Sequence, residues 1–260
     1  VSASALQKRA SEDGGASIHT DTLPREVMKL PAALYPHGEA VCVRRLSIHF
    51  RTLPRPVSVF EMQPDDILER ALRGEEDEYC AQVWPSSYAA SEALLRYLPT
   101  HSNCTVMELG CGPGLPSLSA LAAGASSVTA TDWSPLALAL TTHAANTFQP
   151  SRVSRLRTSR LNLLDEYDRE SYAADLLVAA DLLYDEAVAH AVGKHVAQHL
   201  QHGGHAIIAD PGRPGGRAAF SSGLHSCSAT RGMVHHFVEQ ALPKRWSGSS
   251  SNATVGICTL

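Results

Sequence analysis

Apolar and polar positions along this chain fall into two regimes. From Thr105 onward, short apolar runs alternate with stretches of helical period. That is the pattern of strands and helices taken in turn. The strand runs are Thr105 to Leu109, Ser127 to Thr131, a weakly patterned run within Val153 to Leu161, Asp175 to Ala180, and His205 to Ala209. The helical stretches run from about Pro116 to Ala123, Ser134-Pro135 to Asn146, Asp185-Glu186 to Leu200, and Ala218 to Leu224. Ser134-Pro135 and Asp185-Glu186 suit first turns, and Gly124 and Gly203-Gly204 suit stops. Val234 to Gln240 and Ala253 to Leu260 are expected as the last two strands, joined by the turn Ser247 to Asn252. Such alternation predicts an α/β fold on a mostly parallel sheet.

The region before Thr105 is patterned differently. Val41 to Phe50 and Val57 to Met62 are β-like runs linked by Pro54-Arg55-Pro56, which predicts a hairpin. Pro64-Asp65-Asp66 opens a short helical stretch, Ile67 to Leu72, stopped by Gly74. The acidic run Glu75 to Glu78 reads as a solvated loop. A helix follows over about Tyr88 to Leu98, with Ala90, Leu94, Leu95 and Leu98 on one face. Val1 to Ala40 is rich in Ser, Ala, Gly and Pro and is expected to be mobile. Its acidic residues Glu12, Asp13, Asp21 and Glu26 argue against a clean transit peptide. The expected organisation is therefore a mobile segment over 1–40, an N-terminal β/α extension over 41–100, and the main α/β domain over 101–260.

Composition narrows the class of function. The chain has 260 residues, 44% of them hydrophobic, enough for one large core. The net charge is −4 with no basic block, so no nucleic-acid partner is expected. No apolar run approaches the ~18 residues of a membrane span, and no membrane partner is expected. The six cysteines lie far apart without a C-x-x-C pair, which predicts free thiols and no metal. Free thiols suit a reducing compartment, so an intracellular protein is expected, taken as a monomer, with cytoplasm and mitochondrion both left open. His195 and His199 stand four apart, but the stripe Val188, Val192, Val196 and Leu200 marks the buried face, so both histidines are expected at the surface.

The chemistry gathers at the carboxyl ends of the strands, where open α/β sheets bind ligands. Glu108 precedes a turn, Gly110-Cys111-Gly112-Pro113-Gly114, and a helix follows from near Leu115. A strand, a glycine turn and a helix N-terminus make a nucleotide-binding corner. G-x-G-x-x-G would need a glycine at 115, which is Leu115, so the turn departs from the dinucleotide fingerprint. Asp132 ends the second strand, where a carboxylate can accept both hydroxyls of a ribose. Asp181 with Tyr184 and Asp210 with Arg213 end the fourth and fifth.

Glu108-Leu109-Gly110-Cys111-Gly112-Pro113-Gly114 resembles the first motif of class I S-adenosylmethionine-dependent methyltransferases. Together with Val83-Trp84-Pro85, Asp132 and Asp181-Leu182-Leu183-Tyr184, it resembles family 16 of the seven-β-strand methyltransferases, which mostly methylate protein lysines. Asp210-Pro211-Gly212-Arg213-Pro214 with Phe220-Ser221 is similar to the branch that includes the enzyme acting on the electron-transfer-flavoprotein β subunit. The resemblance covers about Tyr79 to Gly223. It implies a Rossmann-like three-layer sandwich with a mostly parallel seven-stranded sheet, S-adenosylmethionine as cofactor, and a lysine-containing protein as substrate. It assigns cofactor binding to Trp84, Glu108, Gly110, Cys111, Gly112, Gly114, Asp132, Trp133, Asn162 and Ala180. It assigns the acceptor amine to Asp181 and Tyr184, with Asp210 and Arg213 on the substrate side. The loop Asp165 to Ala174 is longer and more charged than the resemblance leads one to expect. A methyltransferase acting on a small molecule or on histidine, and a non-catalytic protein of the same fold, remain the alternatives. Leu182 and Leu183 stand where enzymes acting on base amines carry prolines, which speaks against a nucleic-acid acceptor.

Overall fold

The computed structural model describes residues 18–20, 26–30, 40–63, 65–67, 72, 78–165, 173–243 and 253–260. The expectations for 1–17, 21–25, 31–39, 75–77, 166–172 and 247–252, and for most of the helix Ile67 to Leu72 with its stop at Gly74, lie outside the described residues. Eleven strands form two sheets among the described residues.

The smaller sheet is antiparallel and built on β3 (Ala40–Ile48). Strand β4 (Val57–Met62) takes one edge, and β1 (Ile18–Thr20) and β2 (Glu26–Lys29) share the other. The expected hairpin of β3 and β4 is present. The segment expected to be mobile differs: it supplies β1 and β2. Their backbones complete the open edge of β3, and Met28 is buried on it. An unpaired edge is the feature such pairing removes.

The larger sheet has seven strands in the order β10-β11-β9-β8-β5-β6-β7. Its members are β5 (Thr105–Leu109), β6 (Ser127–Asp132), β7 (Leu156–Arg160), β8 (Leu176–Ala180), β9 (His205–Asp210), β10 (Val238–Ala241) and β11 (Thr254–Thr259). Strands β5 to β9 run parallel, and β11 is antiparallel to both β9 and β10. The expected mostly parallel, seven-stranded α/β sheet is thus observed. All of β8 is buried, as a central parallel strand covered on both faces must be. The strand order reverses between β5 and β8, and ligand crevices open at such a switch point.

Among the described residues, residues 65–67 are helical, and longer helices connect and cover the strands: α1 (Pro85–Tyr97), α2 (Leu115–Ala123), α3 (Pro135–Phe148), α4 (Glu186–Gln201) and α5 (Gly216–Leu224). Helix α2 is buried from Leu115 to Leu121, so its apolar run needs no polar face. Helix α3 begins at Pro135, yet the side chain of Ser134 does not cap it. That hydroxyl is taken instead by the thiol of Cys80 at 3.1 Å. Helix α4 is capped by Asp185, whose Oδ1 accepts from the Ala187 and Val188 amides.

His195 and His199 are not at the surface, as their spacing beside the valine stripe predicts. Each is 3% exposed. Helix α5 packs on a second face of α4: a Cβ on Gly193 would run into the backbone of Phe220, and one on Gly223 into that of His190. The two helices touch backbone to backbone there, whereas the histidines are buried elsewhere: His195 bonds the Leu163 carbonyl, and the His199 ring packs against Gly204. Burial lowers both imidazole pKa values and keeps the rings neutral.

Candidate active site

The site forms where β5, β6 and β8 end. Beyond Leu109 the chain turns through Gly110 and Gly112, at φ of 59° and 50°. Side chains are disfavoured there on conformation alone. Space excludes them too. A Cβ on Gly110 would collide with the side chain of Leu182, and one on Gly112 would lie 3.1 Å from the Cys80 carbonyl oxygen. The Asp181-Leu182-Leu183-Tyr184 run and the glycine turn therefore interlock.

A carboxylate holds this turn from the neighbouring strand. Asp132, at the end of β6, accepts the Gly112 amide on Oδ2 and the Ser134 amide on Oδ1, both at 2.9 Å. It is 6% exposed, and each carboxylate oxygen has a second lone pair with which to accept from a ligand in the cavity it lines. The Cys111 thiol beside it is pushed well above its ordinary pKa, first by burial and then by the Asp132 and Glu108 charges. It is a buried thiol rather than a nucleophile.

The cavity is about 800 Å³. Gly110, Cys111, Gly112, Asp132 and Trp133 line one part of it, with Asn162 and Ala180. Trp84, Asp181, Tyr184 and Arg213 line the same space. The strand ends that the sequence singles out thus converge on one chamber. Asn162 is held in its loop by two contacts of 3.1 Å, accepting the Leu164 amide and donating to Asp165. His195 on α4 fixes the same loop through Nε2, which donates to the Leu163 carbonyl at 2.8 Å. Trp84 donates its indole N–H to the Tyr79 carbonyl at 3.0 Å. The Val83 amide donates to Glu61 of β4 at 2.9 Å, so the small sheet anchors the segment bearing Trp84.

Three residues expected at the site do other work. Glu108 is 1% exposed and turns away from the cavity. Its Oε2 accepts the Ser117 amide at 2.8 Å and the Ser117 hydroxyl at 2.5 Å, satisfying the first turn of α2. Gly114 is glycine because α3 lies against it: a Cβ would collide with Thr141. Asp210 is fully buried and paired with Arg217, whose Nε lies 2.9 Å from Oδ2. Arg217 continues to Glu239 of β10 at 2.8 Å, so Asp210 ties the antiparallel edge to the sheet. Arg213 pairs not with Asp210 but with Asp181. Asp181 itself does not cap α4, a role that Asp185 fills.

Leu182 of the Asp181-Leu182-Leu183-Tyr184 run also lines the chamber, together with residues outside the quoted motifs: Tyr79, Gln82, Leu161, Leu163 and Leu164. The leucines flanking Asn162 give an apolar wall to the cavity that Asp132 also lines. Their alternation around a polar residue just past a strand is the one signal in the sequence that points to them. The fit to a sulfonium nucleoside rests on three features: a glycine floor that a Cβ would fill, a carboxylate at the end of the second parallel strand, and apolar walls for a base.

Glu108 also makes the corner sensitive to pH. Burial raises its pKa from 4.5 to about 8, with the Asp132 charge adding to the rise and the two Ser117 bonds opposing it. The folded state therefore holds a proton that the unfolded state has released. This contribution to stability is full below about pH 4.5 and is lost as pH climbs to about 8. Glu108→Gln keeps an acceptor for Ser117 and removes the titration. Urea unfolding across that range should give a flatter stability–pH profile than wild type; an unchanged slope would place the titrating group elsewhere.

Residues 65–224 match the model of a family described as lysine methyltransferase. The chain is 33% identical over 142 residues to the electron transfer flavoprotein beta subunit lysine methyltransferase of Danio rerio, covering 53% of this chain and 51% of that protein. It is 32% identical over 171 residues to the protein of the same name from Mus musculus, covering 65% and 60%. The chain thus spans between half and three-fifths of the relatives it matches. A putative S-adenosylmethionine-dependent methyltransferase structure from Streptococcus mutans aligns at a TM-score of 0.50 and 13% identity, over 88% of this chain and 63% of that one. It shares the fold.

Proposed function

The chain belongs to the lysine methyltransferase family, and from that premise we propose that it methylates a protein lysine ε-amine, using S-adenosylmethionine, with the electron transfer flavoprotein β subunit as substrate. The observation that carries this reading is the shared chamber: Asp132 and the glycine turn face the same space as Asp181 and Tyr184. A nucleoside side and an amine side are thereby opposed across one cavity. The substrate follows from the names of the two relatives.

When bound, S-adenosylmethionine supplies a methyl group already activated as a sulfonium. The protein's contribution is to hold and to align. The glycine turn would admit the ligand against the backbone, and Asp132 would accept the ribose hydroxyls. Leu161 and Leu163 would give the base its apolar walls, and Asn162 would accept from its amine. A lysine ammonium, with a pKa of ~10.4 in water, must give up its proton before its lone pair can attack. The Asp181 carboxylate attracts the incoming cation and orients the nitrogen toward the methyl-bearing side. Apolar lining such as Leu182 would desolvate the cation and lower its pKa, and a water molecule would take its proton before the nitrogen lone pair attacks the methyl carbon.

Tritiated S-adenosylmethionine and recombinant electron transfer flavoprotein test the reading together. Label should appear in the β subunit and disappear when its lysines are acetylated beforehand. Label confined to small solutes would transfer the chemistry to a small-molecule acceptor. No S-adenosylmethionine binding by calorimetry would leave a non-catalytic protein of the same fold.

A further inference from the structure

We propose that Arg213 is a stand-in for the acceptor: its guanidinium occupies the Asp181 carboxylate until a lysine ammonium exchanges with it. This rests on the methyltransferase reading of the same chamber. Asp181 is the amine-side carboxylate, and its side chain is 5% exposed. A carboxylate so withdrawn from water needs a cation. Arg213 provides it, with Nη1 donating to Oδ1. The same oxygen is the one an incoming ammonium would need.

The arginine has somewhere to go. Its side chain is 36% exposed, and its guanidinium carbon already lies 6.0 Å from the centre of the Trp84 ring. Arginine stacks on indole faces, and a shift away from Asp181 exchanges an ion pair for that contact. The segment bearing Arg213 suits such a change. It runs from Pro211 to Gly215 between β9 and α5, with Gly212 at φ 85° and Gly215 at φ 81°. Its root is fixed, since the Gly212 amide donates to Asp210 at 2.7 Å and Asp210 is held by Arg217. Movement is therefore confined to the tip and the side chain. The consequence is selectivity. Only a cation long enough to reach Asp181 can displace the guanidinium, so neutral side chains and water are kept from the methyl-bearing side.

Removing the stand-in should tighten binding of the acceptor. Calorimetry with n-butylammonium, a lysine side-chain surrogate, in the presence of S-adenosylhomocysteine reads this directly. Arg213→Gln is expected to bind the surrogate about tenfold more tightly than wild type. Arg213→Lys, which keeps a cation, should stay near wild type, and Asp181→Asn added to Arg213→Gln should abolish the gain. Steady-state transfer to the flavoprotein β subunit gives the second readout. KM for the β subunit should fall in Arg213→Gln relative to wild type. Unchanged or weaker surrogate binding by Arg213→Gln overturns the inference, as does a loss confined to kcat, which would make Arg213 a positioning residue for Asp181. Tighter surrogate binding without any label transfer by wild type would instead overturn the protein-lysine reading and leave the exchange intact.

Discussion

Asp181→Asn is expected to lower methyl transfer by about 10²–10³-fold while leaving S-adenosylmethionine affinity within about threefold. The choice of asparagine matters. Asp181 sits at φ 60°, a left-handed conformation that asparagine tolerates and alanine does not. Alanine would mix backbone strain into the result. Asparagine keeps the shape, and its carbonyl can still accept from Arg213. What it removes is the negative charge that draws an ammonium into the chamber and holds the amine there. The cofactor side should not register the change, because Asp132 and Gly112 are held by their own hydrogen bonds. Transfer to the flavoprotein β subunit and calorimetric cofactor binding, measured on the same preparation, check both halves. Near-normal transfer would remove Asp181 from the amine's path; equal loss of cofactor binding would make it part of the nucleoside site.

Much of this molecule can be read from its sequence, and the exceptions have physical causes. The central strands are legible because each is a short apolar run punctuated by glycine, proline or a cap, and β5 has the bounds its pattern predicts. The strand-end residues Asp132 and Asp181 are legible because a parallel sheet sends every carboxyl end to the same side. What resists reading is the direction of individual side chains. Glu108 belongs to a motif associated with cofactor binding, but only the position of Ser117 shows that its carboxylate faces the helix. Asp210 and Arg213 lie three apart and carry opposite charges, which invites pairing them; in the fold Arg217 takes Asp210 and leaves Arg213 to Asp181. The burial of His195 and His199 escapes the sequence because the segments that cover them, at Leu163 and Gly204, come to α4 through the fold and not through any local pattern. Tyr79 and Gln82 reach the chamber through a loop whose course is set by a long-range bond from Val83 to Glu61, and no local pattern encodes that.

The second large effect is expected at Asp132, where even the near-isosteric change to asparagine should be severe. A carboxylate offers acceptors on both oxygens; an amide offers one acceptor and one donor group. In the folded chain the two oxygens of Asp132 face two backbone N–H groups, those of Gly112 and Ser134. Whichever way the substituted amide turned, its NH₂ would confront an N–H, and one backbone amide would lose its acceptor. That loss costs about 1–3 kcal/mol of stability, before any ligand is considered. It also loosens the glycine turn, since the Gly112 amide is a tie between that turn and β6. The ligand would lose its ribose acceptor in addition, and the two effects together predict a fall in S-adenosylmethionine affinity of roughly a hundredfold or more. Asp132→Ala, which takes the acceptor from both amides, should match that loss of affinity with a loss of stability at least as large. Chemical denaturation and calorimetric titration of the two variants separate the contributions. If Asp132→Asn proved as stable as wild type and still bound the cofactor, the carboxylate would not be what joins the turn, the strand and the ligand.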